Sequence, residues 1–487
     1  MDVLSGLKPE KVFNFFEEIS AIPRGSKHEE QISAYLVKFG ESRGLETIQD
    51  DALNVIIKKD ATPGYEGIPA IIIQGHMDMV WEKNIDTEFD FENEGLKLLI
   101  DGDFIKAKRT TLGADNGIAV AFALAVLDSN DIPHPKLEVL ITSDEETGMS
   151  GAIALDGNLL KGKYLFNIDT EEEGEIYVSC SGGNRTTFTI PVTYTDATLD
   201  SFYNISVRGL FGGHSGMEIQ LQRGNSNKIM GRILKTISDK LTINLIEING
   251  GSKTNAIPRE GDVLFSVAKK DVETLNEILA NVTKDIVEEL RISDAGVKIT
   301  MTEVKGLETS KVMDTDTTNR VINTLFIYPN GVQRMSLDIE GLVETSLNLG
   351  VLTTEDAGVV LQSAIRSSVD AAKALLTKEV QTLAVVTGAK FEQGATYPAW
   401  KFNPNSKLQD MALEVHEKST GKKAGIKAIH AGLECGLLGE KLPDCDIISF
   451  GPNMFDVHTP EEKLSISSVG NVWSYFLELL KASKDYL

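Results

Sequence analysis

The sequence predicts an α/β protein in which a mostly parallel β-sheet covered by helices is interrupted by an inserted α+β domain. Three observations carry this. Through residue 185, short apolar strands such as "LNVIIK", "PAIIIQ", "LEVLIT" and "YLFNI" alternate with helical stretches such as "NGIAVAFALAVLDSN". That alternation argues for parallel β-α-β units. Between 186 and 395 the texture changes to longer strand, helix, strand runs. After 396 the first texture returns, with "CDIISFGPN" as a strand and turn and "SISSVGNVWSYFLELLKASKDYL" as a terminal helix. Residues 1–185 and 396–487 are therefore expected to form one domain, with 186–395 inserted into it.

Taken in order, the opening "MDVLSGLKPEKVFNFFEEIS" has no basic segment followed by a long apolar one and is expected to be an amphipathic helix, not a secretion signal. The longest apolar run, "IAVAFALAVL" at 118–127, is half of the roughly 20 residues a membrane span requires, so it is expected to be a buried helix. The middle domain carries an internal echo. "GDVLFSVAKK" to "GVKITM" and "AGVVLQSAIRSS" to "GAKFEQ" both predict strand, long helix, strand, and an Asn precedes each, Asn255 and Asn348. Two related units are expected there.

The 487 residues include 72 acidic and 48 basic ones, a formal charge of −24. Such a chain is repelled by phosphate backbones and anionic membranes, so neither nucleic acid nor membrane is expected as a partner. Cys180, Cys435 and Cys445 are an odd number with no C-x-x-C pair. They suggest neither a disulfide framework nor a cysteine metal site, and a reducing cytoplasm fits best.

The chemistry collects where strands end. "GHMDM", "ITSDEETG" and "FNIDTEE" each follow an apolar strand, and "TTLGADNGIA" and "FDVHTPEE" offer the same residue types in loops. In open α/β sheets, ligands bind beyond the carboxyl ends of strands. His, Asp and Glu without thiolate suit Zn²⁺, Mn²⁺ or Co²⁺. Five such segments exceed the needs of one ion, whereas two cations about 3.5 to 4 Å apart, bridged by a carboxylate, would use them all. Asp78, two residues from His76 on an extended strand, is placed to accept the ring N–H and fix its tautomer. Glu171, Glu172, Glu173 and Glu461 read as ordinary solvated charge.

"GHMDMV", "TLGADNGIAVA", "SDEETGMSGA", "NIDTEEEGE", "GGHSGMEI" and "GPNMFDVHTPEE", in this order, resemble the co-catalytic di-zinc peptidase family of carboxypeptidases, aminoacylases and dipeptidases, its cytosolic dipeptidase branch most of all. With "AIPRGSKHEE" and "HAGLECGLL" the resemblance spans nearly the whole chain. It implies the zinc-peptidase fold, with helices on both faces of the sheet and the insert as a lid. It implies two divalent ions, most readily zinc: His76 and Asp169 on one, Glu146 and His458 on the other, and Asp115 bridging. Glu145 matches the general base that activates the attacking water and later protonates the leaving amine, and Asp78 the carboxylate that orients His76. A cis peptide between Asp115 and Asn116 is also implied. In the lid, His214 matches the histidine that meets the oxyanion and Arg366 the arginine that grips the substrate's terminal carboxylate; Asn255 would add an amide contact. Glu434 is placed to bind a free amino group or, equally, to cap the helix after it. The expected activity is hydrolysis of dipeptides, Xaa-His among them. The alternatives are an N-acyl-amino-acid deacylase or tripeptidase on the same site, and a metal-binding protein of the same fold without catalysis. A homodimer stays open, because in relatives with a shorter lid the partner subunit supplies the histidine.

Overall fold

The computed structural model describes residues 3–307 and 311–487. It divides into two units: Met1–Ser179 with Trp400–Ala428 and Leu433–Leu487, and Cys180–Ala399 with Ile429–Gly432.

The first unit is built on an eight-stranded sheet. At its centre, Leu137–Thr142, Ile71–His76, Tyr164–Asn167 and Asp446–Ser449 lie side by side and parallel. Their apolar runs explain this position: every residue of Ile71–His76 and of Leu137–Thr142 is buried, as expected for strands covered on both faces. Strands on both sides of these four pair antiparallel, so the sheet is mixed and the expectation of a mostly parallel sheet holds at its centre. Glu46–Gln49 and Val55–Lys59 form a hairpin, and the second of them pairs antiparallel with Leu137–Thr142. A tight turn can join only antiparallel neighbours. On the other side, Asp446–Ser449 pairs antiparallel with Glu175–Cys180.

Residues 118–127 are buried throughout, inside the helix Ala114–Leu127. Among the described residues no helix is long and apolar enough to cross a membrane. The opening segment forms the helix Glu10–Ser20, whose buried face is Val12, Phe13, Phe15, Phe16 and Ile19. The start of Ala114–Leu127 is irregular. Asp115 and Asn116 have non-helical φ and ψ, and the peptide between them is cis. Asn116 ties this corner to two strands: its Oδ1 accepts from the His76 N–H at 3.2 Å and its Nδ2 donates to the Ile168 carbonyl at 2.6 Å. Gly75 leaves room for it. A Cβ at Gly75 would lie 2.4 Å from Asn116 Oδ1 and 2.6 Å from Ala119 Cβ. Gly75→Ala is therefore expected to cost about 1–3 kcal/mol through overpacking and to lower metal content, as read by denaturant unfolding and elemental analysis; an unchanged midpoint would refute the close approach.

The second unit is an antiparallel sheet running Lys298–Glu303, Ser201–Arg208, Gly261–Val267, Ile243–Gly250, Val343–Glu355, Gly358–Ser367, Gly182–Ile190, Lys390–Tyr397, with Gly331–Met335 beside Val343–Glu355. The order reveals a duplication. Ser201–Arg208, the first strand of one half, lies between that half's third and fourth strands, Gly261–Val267 and Lys298–Glu303; Gly182–Ile190 lies likewise between Gly358–Ser367 and Lys390–Tyr397. Each half packs two helices, Ser226–Ser238 and Val272–Glu289 in one, Thr315–Ile327 and Asp370–Thr387 in the other. One core including Ile233, Phe265, Leu279, Leu325, Leu361 and Val380 serves both. The halves join at Gly250 and Leu352, which removes an open sheet edge from each. The strand, helix, strand echo seen in the sequence is this repeat. The echoing asparagines are not equivalent: Asn348 sits inside the strand Val343–Glu355 while Asn255 lies in a loop before Ala256–Ile257, so the match of local sequence there was coincidental.

Candidate metal centre and substrate-binding residues

The four parallel strands lead into one edge of the first unit, the last of them through the short strand Met454–Phe455. His76 ends Ile71–His76, Glu145 and Glu146 follow Leu137–Thr142, Asp169 follows Tyr164–Asn167, and His458 follows Asp446–Ser449. Asp115 joins them from the start of Ala114–Leu127 and divides its carboxylate. Its Oδ1 is 3.1 Å from His76 Nε2, and its Oδ2 is 3.2 Å from His458 Nε2. Beyond these, His76 Nε2 is 3.6 Å from Asp169 Oδ1, and His458 Nε2 is 3.0 Å from Glu146 Oε2. Such spacings suit donors sharing an ion at bond lengths of about 2.0–2.2 Å. One ligand atom each from His76, Asp115 and Glu146 also falls within 4.8 Å of the others.

The electrostatics call for positive charge. Burial, reinforced by Asp169, Glu434 and Glu146, pushes the Glu145 carboxyl well above the usual range. Burial with Asp115 raises Glu146, and burial with Asp115 and Glu146 raises Asp169 to about 6. Hydrogen bonds to Asp115 and Glu146 push His458 up to about 11. Burial would lower His76, yet Asp169, Asp115 and Asp78 together raise it well above 6.5. Carboxylates resisting charge beside imidazoles holding protons are what a donor set for divalent cations looks like when protons must do the neutralising. The residues fit a pair of ions.

Asp78 does more than its expected task. His76 Nδ1 is 3.3 Å from its carboxylate and 3.2 Å from its carbonyl, but the strand stops at His76, so a turn and not strand periodicity brings the two together. The same carboxylate accepts from the backbone N–H groups of Glu145 at 3.0 Å and Glu146 at 3.2 Å and from Ser26 Oγ at 2.8 Å. One buried side chain therefore orients His76 and the turn carrying Glu145 and Glu146. Three supporting residues escaped the sequence reading. Arg24, buried, donates to the carbonyls of Met77, Asp78 and Gly113. Glu29 accepts from the Asp144 N–H. Glu462, also buried, accepts from the N–H groups of Leu112, Gly113 and Ala114 at 2.7–3.0 Å, gripping the loop that enters Asp115. Neighbouring Glu461 is exposed, as expected. The signal was in "AIPRGSKHEE" and "TPEE", where a charge beside apolar residues looked no different from a solvated one.

Glu434 is buried, and its Oε2 accepts from Gln74 at 2.7 Å and Thr142 at 2.6 Å, while Oε1 has no hydrogen-bond partner. It does not cap its helix; Leu433 holds the N-cap position and no side chain caps it. Burial, with Asp169 and Asp78 nearby, lifts its pKa to about 7.

Within the second unit, Gly213–His214 pairs with Ala256–Ile257, and the Ser215 N–H donates to the Asn255 carbonyl, so His214 and Asn255 are neighbours. Gly213 has φ 136°, and a Cβ there would strike Glu218 Oε2 at 2.5 Å; that oxygen instead accepts from the His214 N–H at 2.8 Å. His214 Nδ1 accepts from the N–H groups of Gly216 and Met217, which leaves the proton on Nε2. Burial and Arg366 lower its pKa against the pull of Glu218. Arg366, on Gly358–Ser367, is buried without an ion pair among the described residues. Its Nη1 donates to the Tyr397 hydroxyl at 2.9 Å and its Nε has no partner. Tyr397 is a partner of Arg366 that the sequence did not point to. His430, of the loop "HAGLECGLL", is buried against Ser346 Oγ at 2.7 Å.

A peptidase dimerisation domain model matches residues 205–294. The cytosol non-specific dipeptidase of Escherichia coli K12 is 39% identical over 484 residues, 99% of each chain. This chain belongs to the M20 peptidase family. Among solved structures, the aminoacylhistidine dipeptidase from Vibrio alginolyticus superposes with a TM-score of 0.94 at 40% identity, covering 98% of each chain. A tripeptidase from Staphylococcus aureus Mu50 shares the fold alone, with a TM-score of 0.57 at 18% identity. As an M20 peptidase the chain is a metal-dependent hydrolase, and the divided carboxylate of Asp115 is its candidate metal bridge.

Proposed function

We propose that this M20 peptidase hydrolyses dipeptides in the cytoplasm, with His76 and Asp169 on one divalent ion, Glu146 and His458 on a second, and Asp115 between them. The observation that carries this reading is Asp115, which turns one oxygen to each histidine. Two bound ions, zinc fitting the N/O donors well, supply Lewis-acid polarisation of the scissile carbonyl and acidify water.

The remaining steps belong to the chain's own residues. Glu145 takes the proton of the attacking water and hands it to the leaving amine; its backbone is pinned by Asp78, leaving its carboxylate unanchored by that contact. His214 donates its Nε2 proton to the oxyanion. Being neutral, with Nδ1 already accepting two backbone N–H groups, it meets developing charge without first losing a proton. Arg366 pairs with the terminal carboxylate, for which its unpartnered Nε is available. Glu434 Oε1 accepts from the free α-amine, and Asn255 contacts the substrate amide.

The test is a panel of Ala-Ala, Ala-His, Ala-Ala-Ala and N-acetyl-alanine on chelated and metal-restored protein. Dipeptides should be cleaved well above the tripeptide and acetylated substrate, with activity lost on chelation and regained with Zn²⁺, Mn²⁺ or Co²⁺. Equal cleavage of N-acetyl-alanine would overturn the dipeptide reading in favour of a deacylase.

A further inference from the structure

One cavity of the second unit takes no part in the hydrolysis steps above except through Asn255. It holds about 630 Å³ and is lined by Arg185, Thr187, Lys253, Asn255 and Gln362 among others, with no carboxylate in its wall. That is unexpected in a chain with 72 acidic and 48 basic residues. No ion pair among the described residues engages Arg185 or Lys253.

Strand register sets this cavity beside Arg366. Across the pair Gly182–Ile190 and Gly358–Ser367, Arg366 faces Gly183, Ala364 faces Arg185 and Gln362 faces Thr187. Alternate residues of a strand share a face, so Arg366, Arg185, Thr187 and Gln362 project from one side of the sheet, with Arg185 about 7 Å along the strand from the position opposite Arg366. Tyr397, opposite Gly183 on the next strand, accepts from Arg366 through its hydroxyl, and Arg366 and Arg185 both counter the effect of burial on its pKa. Glu392, opposite Thr187 on the next strand, is an acidic residue of that face but does not line the cavity.

We propose that this cavity is the subsite for the side chain of the substrate's C-terminal residue, and that Arg185 and Lys253 make it select acidic side chains. The proposal rests on the reading of Arg366 as the clamp on the terminal carboxylate. A C-terminal Glu or Asp carries two carboxylates on one residue, so one can meet Arg366 while the other reaches Arg185 and Lys253. Thr187, Asn255 and Gln362 supply neutral donors beside them. A neutral side chain would enter the same space and leave both cations unpaired.

The test compares kcat/KM for Ala-Glu, Ala-Gln and Ala-Lys on the metal-loaded full chain, with inorganic phosphate added in a parallel series. The wild type should favour Ala-Glu over Ala-Gln by about tenfold or more, the scale of a charge-assisted contact. The ratio should fall toward one in Arg185→Gln combined with Lys253→Gln, and Arg185→Glu should shift preference toward Ala-Lys. Because each ratio is internal to one preparation, partial misfolding cancels. A wild-type ratio near one, or one unchanged in the variants, overturns the subsite, as does phosphate altering Ala-Gln turnover with no Glu preference, which would mark a site for free anions. No cleavage of any dipeptide would overturn the dipeptidase reading and the subsite together; cleavage of Ala-Gln with an unaltered ratio overturns the subsite alone.

Discussion

Glu145→Gln should lower kcat for dipeptides by about 10²–10⁴-fold, the range general acid–base catalysis supplies, while metal content stays near two ions per chain. Gln keeps the shape, and the backbone contact to Asp78 that fixes the turn does not involve the altered group. The substitution also carries a stability signature. Burial and its acidic neighbours raise the Glu145 pKa well above 4.5. A carboxyl with a raised folded-state pKa stabilises the fold only at low pH, and that contribution is lost as pH rises toward the folded value. At neutral pH the chelated Glu145→Gln protein should therefore melt above the chelated wild type. Calorimetry on both, with turnover on the metal-loaded forms, checks the two claims; undiminished turnover would remove Glu145 from the mechanism.

The second large effect is at Arg366. Truncation to Ala should reduce kcat/KM for Ala-Ala by roughly 30- to several-thousand-fold, the equivalent of about 2–5 kcal/mol for losing one partner of a buried charge pair. Ala-Ala-amide, which has no carboxylate to offer, should be a poor substrate of the wild type and lose little more in the variant. Arg366→Lys should recover only part of the activity, since an ammonium cannot reproduce the planar fork. A buried guanidinium with an unpartnered Nε is expensive to maintain without an anion to receive. An equal loss on Ala-Ala and Ala-Ala-amide would show that Arg366 supports the fold and not the substrate.

Much of this was legible in the residues. The isoleucines of Ile71–Ile73 could only be a buried strand, and the His, Asp and Glu residues after such strands had to emerge at one sheet edge because parallel strands all end on the same side. The central strand order then sets His76 between the strands that lead to Glu146 and to Asp169. The repeat in the middle domain was visible as well, since each copy preserves the pattern of strand, long helix and strand.

Other features had no local signature. Asp78 reaches the N–H groups of Glu145 and Glu146 across 67 and 68 residues, and Glu462 grips Leu112 to Ala114 across about 350. Charges like Arg24 and Glu462 read as solvated because burial is decided by what the rest of the chain places over them. The antiparallel flanks of the first sheet, the different settings of Asn255 in a loop and Asn348 in a strand, and the Tyr397 hydroxyl on Arg366 are likewise matters of register and packing. Hydrophobic periodicity and residue type are local properties, and they were enough to mark out the candidate residues His76, Asp115, Glu145, Glu146, Asp169 and His458. Which of them come within reach of one another depended on packing, because hydrogen bonds and charge interactions act over a few ångströms whatever the distance along the chain.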